Sequence, residues 1–185
     1  MLFHRTPLHG AWLIDAEPHL DERGWFARSF CEHEFAEYGL ETRFVQHSRS
    51  FSKRAGTLRG MHFQTAPHEE VKLVSCVSGA IFDVIFDMRP GSPSYRQSFS
   101  VELTAANGRQ LYIPKGMAHG FEALTDDVTV NYLISEFYAP GYSSGIRYDD
   151  PALGVEWPMP VTQVSDKDLG WPPWELINRG MCLED

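Results

Sequence analysis

"EVKLVSCVSGAIFDVIFDMRPGS", residues 70–92, reads as two strands joined at Ser78-Gly79. Its Val, Ile and Phe residues suit a pleated, half-buried surface. The pattern continues downstream. "SYRQSFSVELTAANGRQLYIP" (94–114) is a strand, an Asn107-Gly108 turn and another strand. In "DVTVNYLISEFY" (127–138), Val128, Val130, Tyr132 and Ile134 fall on one side of a strand, and Thr129, Asn131 and Leu133 on the other. Upstream, "RFVQHSRSFS" (43–52) is a strand with polar residues at 46, 48, 50 and 52 on one face. One short helix is expected at 31–39, "CEHEFAEYG", where Phe35 and Tyr38 are three apart and Gly39 supplies the stop.

Many short strands with turn signals every 8–12 residues or so imply an all-β chain, an antiparallel sandwich or barrel. The C-terminal part, "DPALGVEWPMP" (150–160) and "WPPWE" (171–175), is rich in Pro and Trp. It is expected to wrap irregularly on the core, being too apolar for a disordered tail. No repeat or linker divides residues 1–185, so a single domain is expected, burying roughly two-thirds of its unfolded surface.

The net charge of −9 argues against nucleic acid as a partner, which would favour a basic face. A small anionic ligand remains compatible, because local Arg and Lys residues set the field in a pocket. Cys31, Cys76 and Cys182 are widely spaced and odd in number, which fits reduced thiols in a cytoplasm. "MLFHRTPLHGAWLI" lacks the apolar run of a signal peptide, and no segment approaches the ~20 apolar residues of a membrane span.

"GTLRGMHFQ" (56–64) sets Arg59 and His62 on a strand that is otherwise small and apolar. Alone, a strand His is more often a hydrogen-bonded structural residue than a base. The odd spacing also sends Arg59 and His62 to opposite faces of an ideal strand. Both can line one pocket only with an irregularity between them, and Gly60 is the candidate site for a bulge.

"NGRQLYIPKGMAHGF" (107–121) resembles the second signature of the cupin jelly-roll superfamily: Gly108, Pro114, Gly116 and His119 fill its places, while Ala123 replaces a usual Asn. Residues 56–79 stand where the first signature belongs, but His62 is followed by Gln64 instead of a second His, so one metal ligand is missing. Across nearly the whole chain the sequence resembles the dTDP-4-dehydrorhamnose 3,5-epimerase family of nucleotide-sugar epimerases. The blocks are "DERGWF" (21–26), "FVQ" (44–46), "GTLRGMHFQ", "VKLV" (71–74), "DMRPGSPSY" (87–95), "IPKGMAHGF" (113–121), "GIRYDDP" (145–151), "WP" (157–158) and "SDKD" (165–168).

The resemblance implies a cupin jelly-roll with a few short helices and a metal- and cofactor-independent epimerase of a nucleotide-linked 4-keto-6-deoxy sugar. Epimerisation beside a ketone needs a base, a cation for the enolate oxygen and an acid on the opposite face. His62 is the base, since imidazole titrates near neutral pH. The resemblance gives its carboxylate partner as Asp168, with Asp166 a close competitor. Lys72 and Arg59 are the candidate cations, with Lys72 on the enolate. Arg59 and His119 could contact sugar or diphosphate. Tyr132 matches the family's acid and Tyr138 an aromatic that stacks on the base. Gln46 and Ser48 match ligand contacts. Arg23 and Phe26 match positions reaching into a neighbouring subunit's pocket, which implies a homodimer with exchanged N-terminal strands.

Four places depart from the family pattern: Arg28 stands where Glu is usual, Ser48 where Asn is usual, a Glu usual near Ser143 is absent, and Tyr148 stands where Trp is more usual. They bear on which base or sugar is bound. Three alternatives stay open: an epimerase of C3 only or of another nucleotide sugar; a metal-dependent cupin enzyme using His62, His68, Glu69 and His119; and a non-catalytic sugar-binding cupin.

Overall fold

Residues 1–181 are described by the computed structural model. The chain opens with β1 (Leu2–Arg5), β2 (Trp12–Asp15), β3 (His19–Asp21) and β4 (Gly24–Phe26), followed by helix α1 (Glu32–Glu37). Then come β5 (Gln46–Ser52), β6 (Leu58–Gln64), β7 (Lys72–Ser78) and β8 (Ala80–Asp87). Four more long elements follow: β9 (Ser98–Thr104), β10 (Gln110–Ile113), β11 (Met117–Ala123) and β12 (Val128–Ile134). The chain continues through β13 (Ser143–Gly145), α2 (Asp166–Leu169) and α3 (Trp174–Met181).

Two antiparallel sheets face each other, a six-stranded one in the order β1-β2-β10-β7-β12-β5 and a five-stranded one in the order β13-β6-β11-β8-β9. The opening stretch forms the two strands expected, with Gly79 at φ +75 between them, yet β7 and β8 do not pair. The turn passes the chain from one sheet to the other: β7 pairs with β10 and β12, and β8 with β9 and β11. The Asn107-Gly108 turn does the same between β9 and β10. Neighbours in sequence therefore face each other across the core, as in a jelly roll.

Period-two alternation explains the layers. On β7, Val74 and Cys76 point inward, while Leu73 packs outside with Trp12, Ile14 and Phe35. On β11, Met117, Phe121 and Ala123 point inward and Ala118 points out. Helix α1 covers the outer face of the six-stranded sheet through fully buried Phe35, and Gly39 at φ +68 follows it as read. The outer face of the other sheet, with Met61, Phe63, Val84 and Phe86, is covered by Leu153 and Trp174 from the C-terminal wrap. That wrap is irregular only in part, because α2 and α3 interrupt it. A four-residue helix has no stability of its own, so local sequence carries little sign of it.

The inward-facing rows are apolar at one end of the sandwich and polar at the other. Val128 and Val130 give way to Tyr132 along β12, and Val74 to Lys72 along β7. The polar end stays open as a cleft. Among the described residues the β3–β4 ribbon pairs only with itself and leaves Leu20, Trp25 and Phe26 exposed. Among the described residues no helix is long and apolar enough to cross a membrane. Cys31 and Cys76 are free thiols; Cys182 lies outside the described residues.

Candidate active site

The cleft encloses about 820 Å³ between the two sheets. From the five-stranded side it receives Arg59, His62 and Gln64 of β6 and His119 of β11. From the six-stranded side come Gln46, Ser48, Ser50 and Ser52 of β5, Lys72 of β7 and Tyr132 of β12. Tyr138 borders it, and the wrap contributes Lys167 and Asp168.

Gly60 resolves the odd spacing of Arg59 and His62. Arg59 pairs with Phe121 and His62 with His119, so two residues of β6 lie opposite Gly120 alone, a local bulge. Gly60 is at φ +140, and a Cβ there would sit 2.5 Å from the Gly120 Cα. Only paired glycines allow that approach.

The His62 Nε2 lies 2.6 Å from Asp168 Oδ1. Asp168 also accepts from the Gly60 N–H at 3.3 Å and from the Trp171 indole N–H at 3.3 Å. It is 4% exposed on α2, where the Ser165 hydroxyl caps the helix by accepting from the Asp168 N–H. Asp166, the competitor, is exposed on the same helix. Burial alone would raise the Asp168 pKa; the hydrogen bond and charge of His62, with the Gly60 and Trp171 donors, bring it below the ordinary carboxylate value. An ionised Asp168 can only accept, so Nε2 carries the proton and Nδ1 is left as the basic nitrogen.

Tyr132 stands on the opposite wall. Its hydroxyl is 3.0 Å from Ser50 Oγ. Burial raises the phenol well above its usual range, and Asp83 adds to the rise, while the Ser50 hydrogen bond and Arg59 work against it. The phenol therefore enters the cleft protonated. His119 presents its ring 6.3 Å from that of Tyr132, with Nε2 2.7 Å from Asp83 Oδ1. Asp83 is fully buried and its Oδ2 has no partner among the described residues.

Lys72 is 9% exposed, its Nζ 2.8 Å from Glu70 Oε1. Arg59 donates to Ser52 Oγ at 3.1 Å and to the Phe51 carbonyl at 2.7 Å. Gln46 Oε1 accepts the Tyr138 N–H at 2.7 Å, which ties the exposed Tyr138 to the cleft rim. Arg23 and Phe26 are not in this cleft: Arg23 pairs with Asp21 and Phe26 is 73% exposed on the β3–β4 ribbon. Arg28 pairs with Glu34 away from the cleft, and Tyr148 packs against Trp157.

The four residues of the metal alternative do not converge. His62 and His119 each hold their own carboxylate, and His68 and Glu69 do not line the cleft. Among the described residues no three His, Cys, Asp or Glu side chains are placed to hold a metal ion.

Sequence reading missed Ser50, Glu70, Asp83 and Trp171 at this site. The first three had a signal. Ser50 shares the polar face of β5, Glu70 lies two residues from Lys72, and Asp83 sits between inward Ile81 and Ile85. Trp171 falls in the stretch expected only to wrap on the core, but it lies on Gly145 and its indole N–H reaches Asp168.

The family model described as dTDP-4-dehydrorhamnose 3,5-epimerase matches residues 5–175. A dTDP-4-dehydrorhamnose 3,5-epimerase of Methanothermobacter thermautotrophicus is 46% identical over 174 residues, 92% of this chain and 93% of that protein. The crystal structure of a dTDP-6-deoxy-D-glucose-3,5-epimerase from Legionella pneumophila in complex with dTDP-4-keto-L-rhamnose superposes with a TM-score of 0.91. It is 37% identical, with 97% of this chain and 96% of that one covered. A 3'-monoepimerase from Streptomyces bikiniensis, in complex with dTDP-quinovose, has a TM-score of 0.85 at 31% identity, covering 98% of this chain and all of that one. These likenesses identify the sandwich as the cupin jelly roll anticipated from residues 107–121.

Proposed function

Since this chain belongs to the dTDP-4-dehydrorhamnose 3,5-epimerase family, we propose that it inverts C3 and C5 of a nucleotide-linked 4-keto-6-deoxy sugar, dTDP-4-dehydro-6-deoxy-D-glucose. The observation that carries the mechanism is that His62 with Asp168 and Tyr132 with Lys72 approach one cleft from opposite sheets. Inversion requires that a proton leave one face of a carbon and return to the other. His62 Nδ1 takes the proton from the carbon beside the ketone, and the electron pair moves onto the ketone oxygen. Asp168 holds the ring and offsets the charge of the imidazolium. Lys72 stabilises the enolate oxygen with its fixed ammonium. Tyr132 then gives its hydroxyl proton to the opposite face; before the second centre is inverted, His62 returns its proton to water and the Tyr132 phenolate takes one up from water.

Arg59 and His119 fit contacts to the sugar or diphosphate, Gln46 and Ser48 contacts along the ligand, and Tyr138 a stacking surface for the base. The reading calls on no metal or cofactor. Arg23 and Phe26 are assigned to the cleft of a second copy, in a homodimer that exchanges its N-terminal segments; the solitary exposed β3–β4 ribbon supports this. The cytoplasm is the proposed compartment, which fits the free Cys31 and Cys76.

The test is solvent exchange. In heavy water the wild-type protein should introduce deuterium at C3 and C5 of the keto sugar, read by mass and NMR. His62→Ala should abolish it. Exchange at the wild-type rate in that variant removes His62 from the role, and label at C3 alone assigns the narrower activity of the monoepimerase relative.

A further inference from the structure

Glu70 has no part in the mechanism above, yet it is the ion-pair partner of Lys72. Its Oε1 lies 2.8 Å from the Lys72 Nζ, and both side chains are nearly buried at 12% and 11% exposure. Its Oε2 accepts from Gln64 Nε2 at 3.2 Å. Gln64 belongs to the other sheet and has little freedom, since Nε2 also donates to the His68 and Phe137 carbonyls and Oε1 accepts the Ala139 N–H at 2.7 Å. One carboxylate therefore bridges the two walls of the cleft and fixes the ammonium on the inward row of β7, where Lys72 pairs with Ile134.

An unpaired ammonium at this depth would be penalised by its loss of hydration, and a four-carbon stem could fold away toward water. A carboxylate held from behind prevents both. The pull of a cation on a developing oxyanion depends on its standing in place beforehand, and displacement by about 1 Å can lower a rate about 100-fold. We propose that Glu70 is a positioning residue, which, backed by Gln64, aims the Lys72 ammonium at the oxygen that becomes negative during epimerisation. The inference rests on the reading of Lys72 as the enolate's cation.

The experiment is a double-mutant cycle in heavy water, measuring deuterium incorporation into the keto sugar and KM for wild type, Glu70→Ala, Glu70→Gln, Lys72→Met and Glu70→Ala/Lys72→Met. Lys72→Met is expected to lower kcat about 100-fold or more. Glu70→Ala should lower kcat about 10- to 100-fold with KM within about twofold of wild type, because the effect lies on the transition state. Glu70→Gln keeps an acceptor of the same reach and should recover about tenfold of that loss. In the Lys72→Met background Glu70→Ala should change nothing further, since there is no ammonium left to aim.

The proposal is overturned if Glu70→Ala leaves kcat unchanged or raises it, if its effect falls on KM, or if it is equally large without Lys72. Should Glu70→Ala not accumulate as folded protein, the isosteric Glu70→Gln carries the same cycle at about tenfold or less, and equal loss with and without Lys72 overturns the proposal there too. A Lys72→Met variant that exchanges like wild type removes the underlying reading of Lys72, whereas an impaired Lys72→Met beside a fully active Glu70→Ala removes only the role of Glu70.

Discussion

Asp168 links stability to acidity. Its carboxyl ionises more readily in the fold than in the unfolded chain, where a value of about 3.9 applies. The unfolded chain therefore binds the proton more tightly. The stabilisation is complete above about pH 4 and is lost as pH falls through the lower folded value. Asp87, held down by Arg89, Ser92 and Ser94 against its own burial, acts in the same direction. Urea titrations should show unfolding free energy falling below about pH 4, with a shallower fall in Asp168→Asn. That variant should lose about 1–3 kcal/mol at neutral pH and about 10³- to 10⁴-fold in exchange rate, because an amide can hold the wrong tautomer of His62. The partner of His62 was legible as one of two aspartates but no further. The contact spans 106 positions and depends on which side of a short helix faces inward.

Gly60 carries a comparable weight for its strand. The β6 pattern was readable as far as the conflict between Arg59 and His62, and the glycine between them suggested the remedy. The depth of the requirement was not readable, because it comes from Gly120 on a strand about sixty positions away. Gly60→Ala combines a φ that disfavours any Cβ with a backbone collision, each costing about 1–3 kcal/mol. The expected loss is about 2–6 kcal/mol, a fall of roughly 4–24 °C in Tm by calorimetry for a chain of this size. Exchange should slow as well, as His62 moves off its line to Asp168. Strands with alternating residues, such as β5 and β12, were readable because one face meets water or ligand. Helices α2 and α3 were not, since packing of Trp174 against Phe86, and not local propensity, holds the wrap in place.

For the whole molecule, the sequence showed strand after strand but not which sheet each joins. Ser78-Gly79 and Asn107-Gly108 look like hairpin turns, and only the closing of two sheets over a shared core reveals that they cross between layers. The proposed exchange of segments between subunits belongs to this scale and has its own test. Two variants, Arg23→Ala and His62→Ala, should each be nearly inactive alone. After unfolding and refolding together, half the dimers are mixed, and one site in each mixed dimer then has both an intact His62 and an intact Arg23. Recovery of about a quarter of wild-type activity is expected. No recovery, with mixed dimers verified by mass spectrometry, places Arg23 in its own subunit's site or outside any site.

The wrap that delivers Asp168 also bears on how the protein is made. Every strand of the sandwich is finished by Gly145, yet the carboxylate that His62 requires is still more than twenty codons from the ribosome's decoding site. A nonsense product ending between these points carries the residues of every strand and the imidazole but lacks the carboxylate proposed to orient it. If Asp168 serves His62 as proposed, prematurely terminated chains enolise sugars poorly, and enzymatic turnover doubles as a readout of translation carried past residue 168.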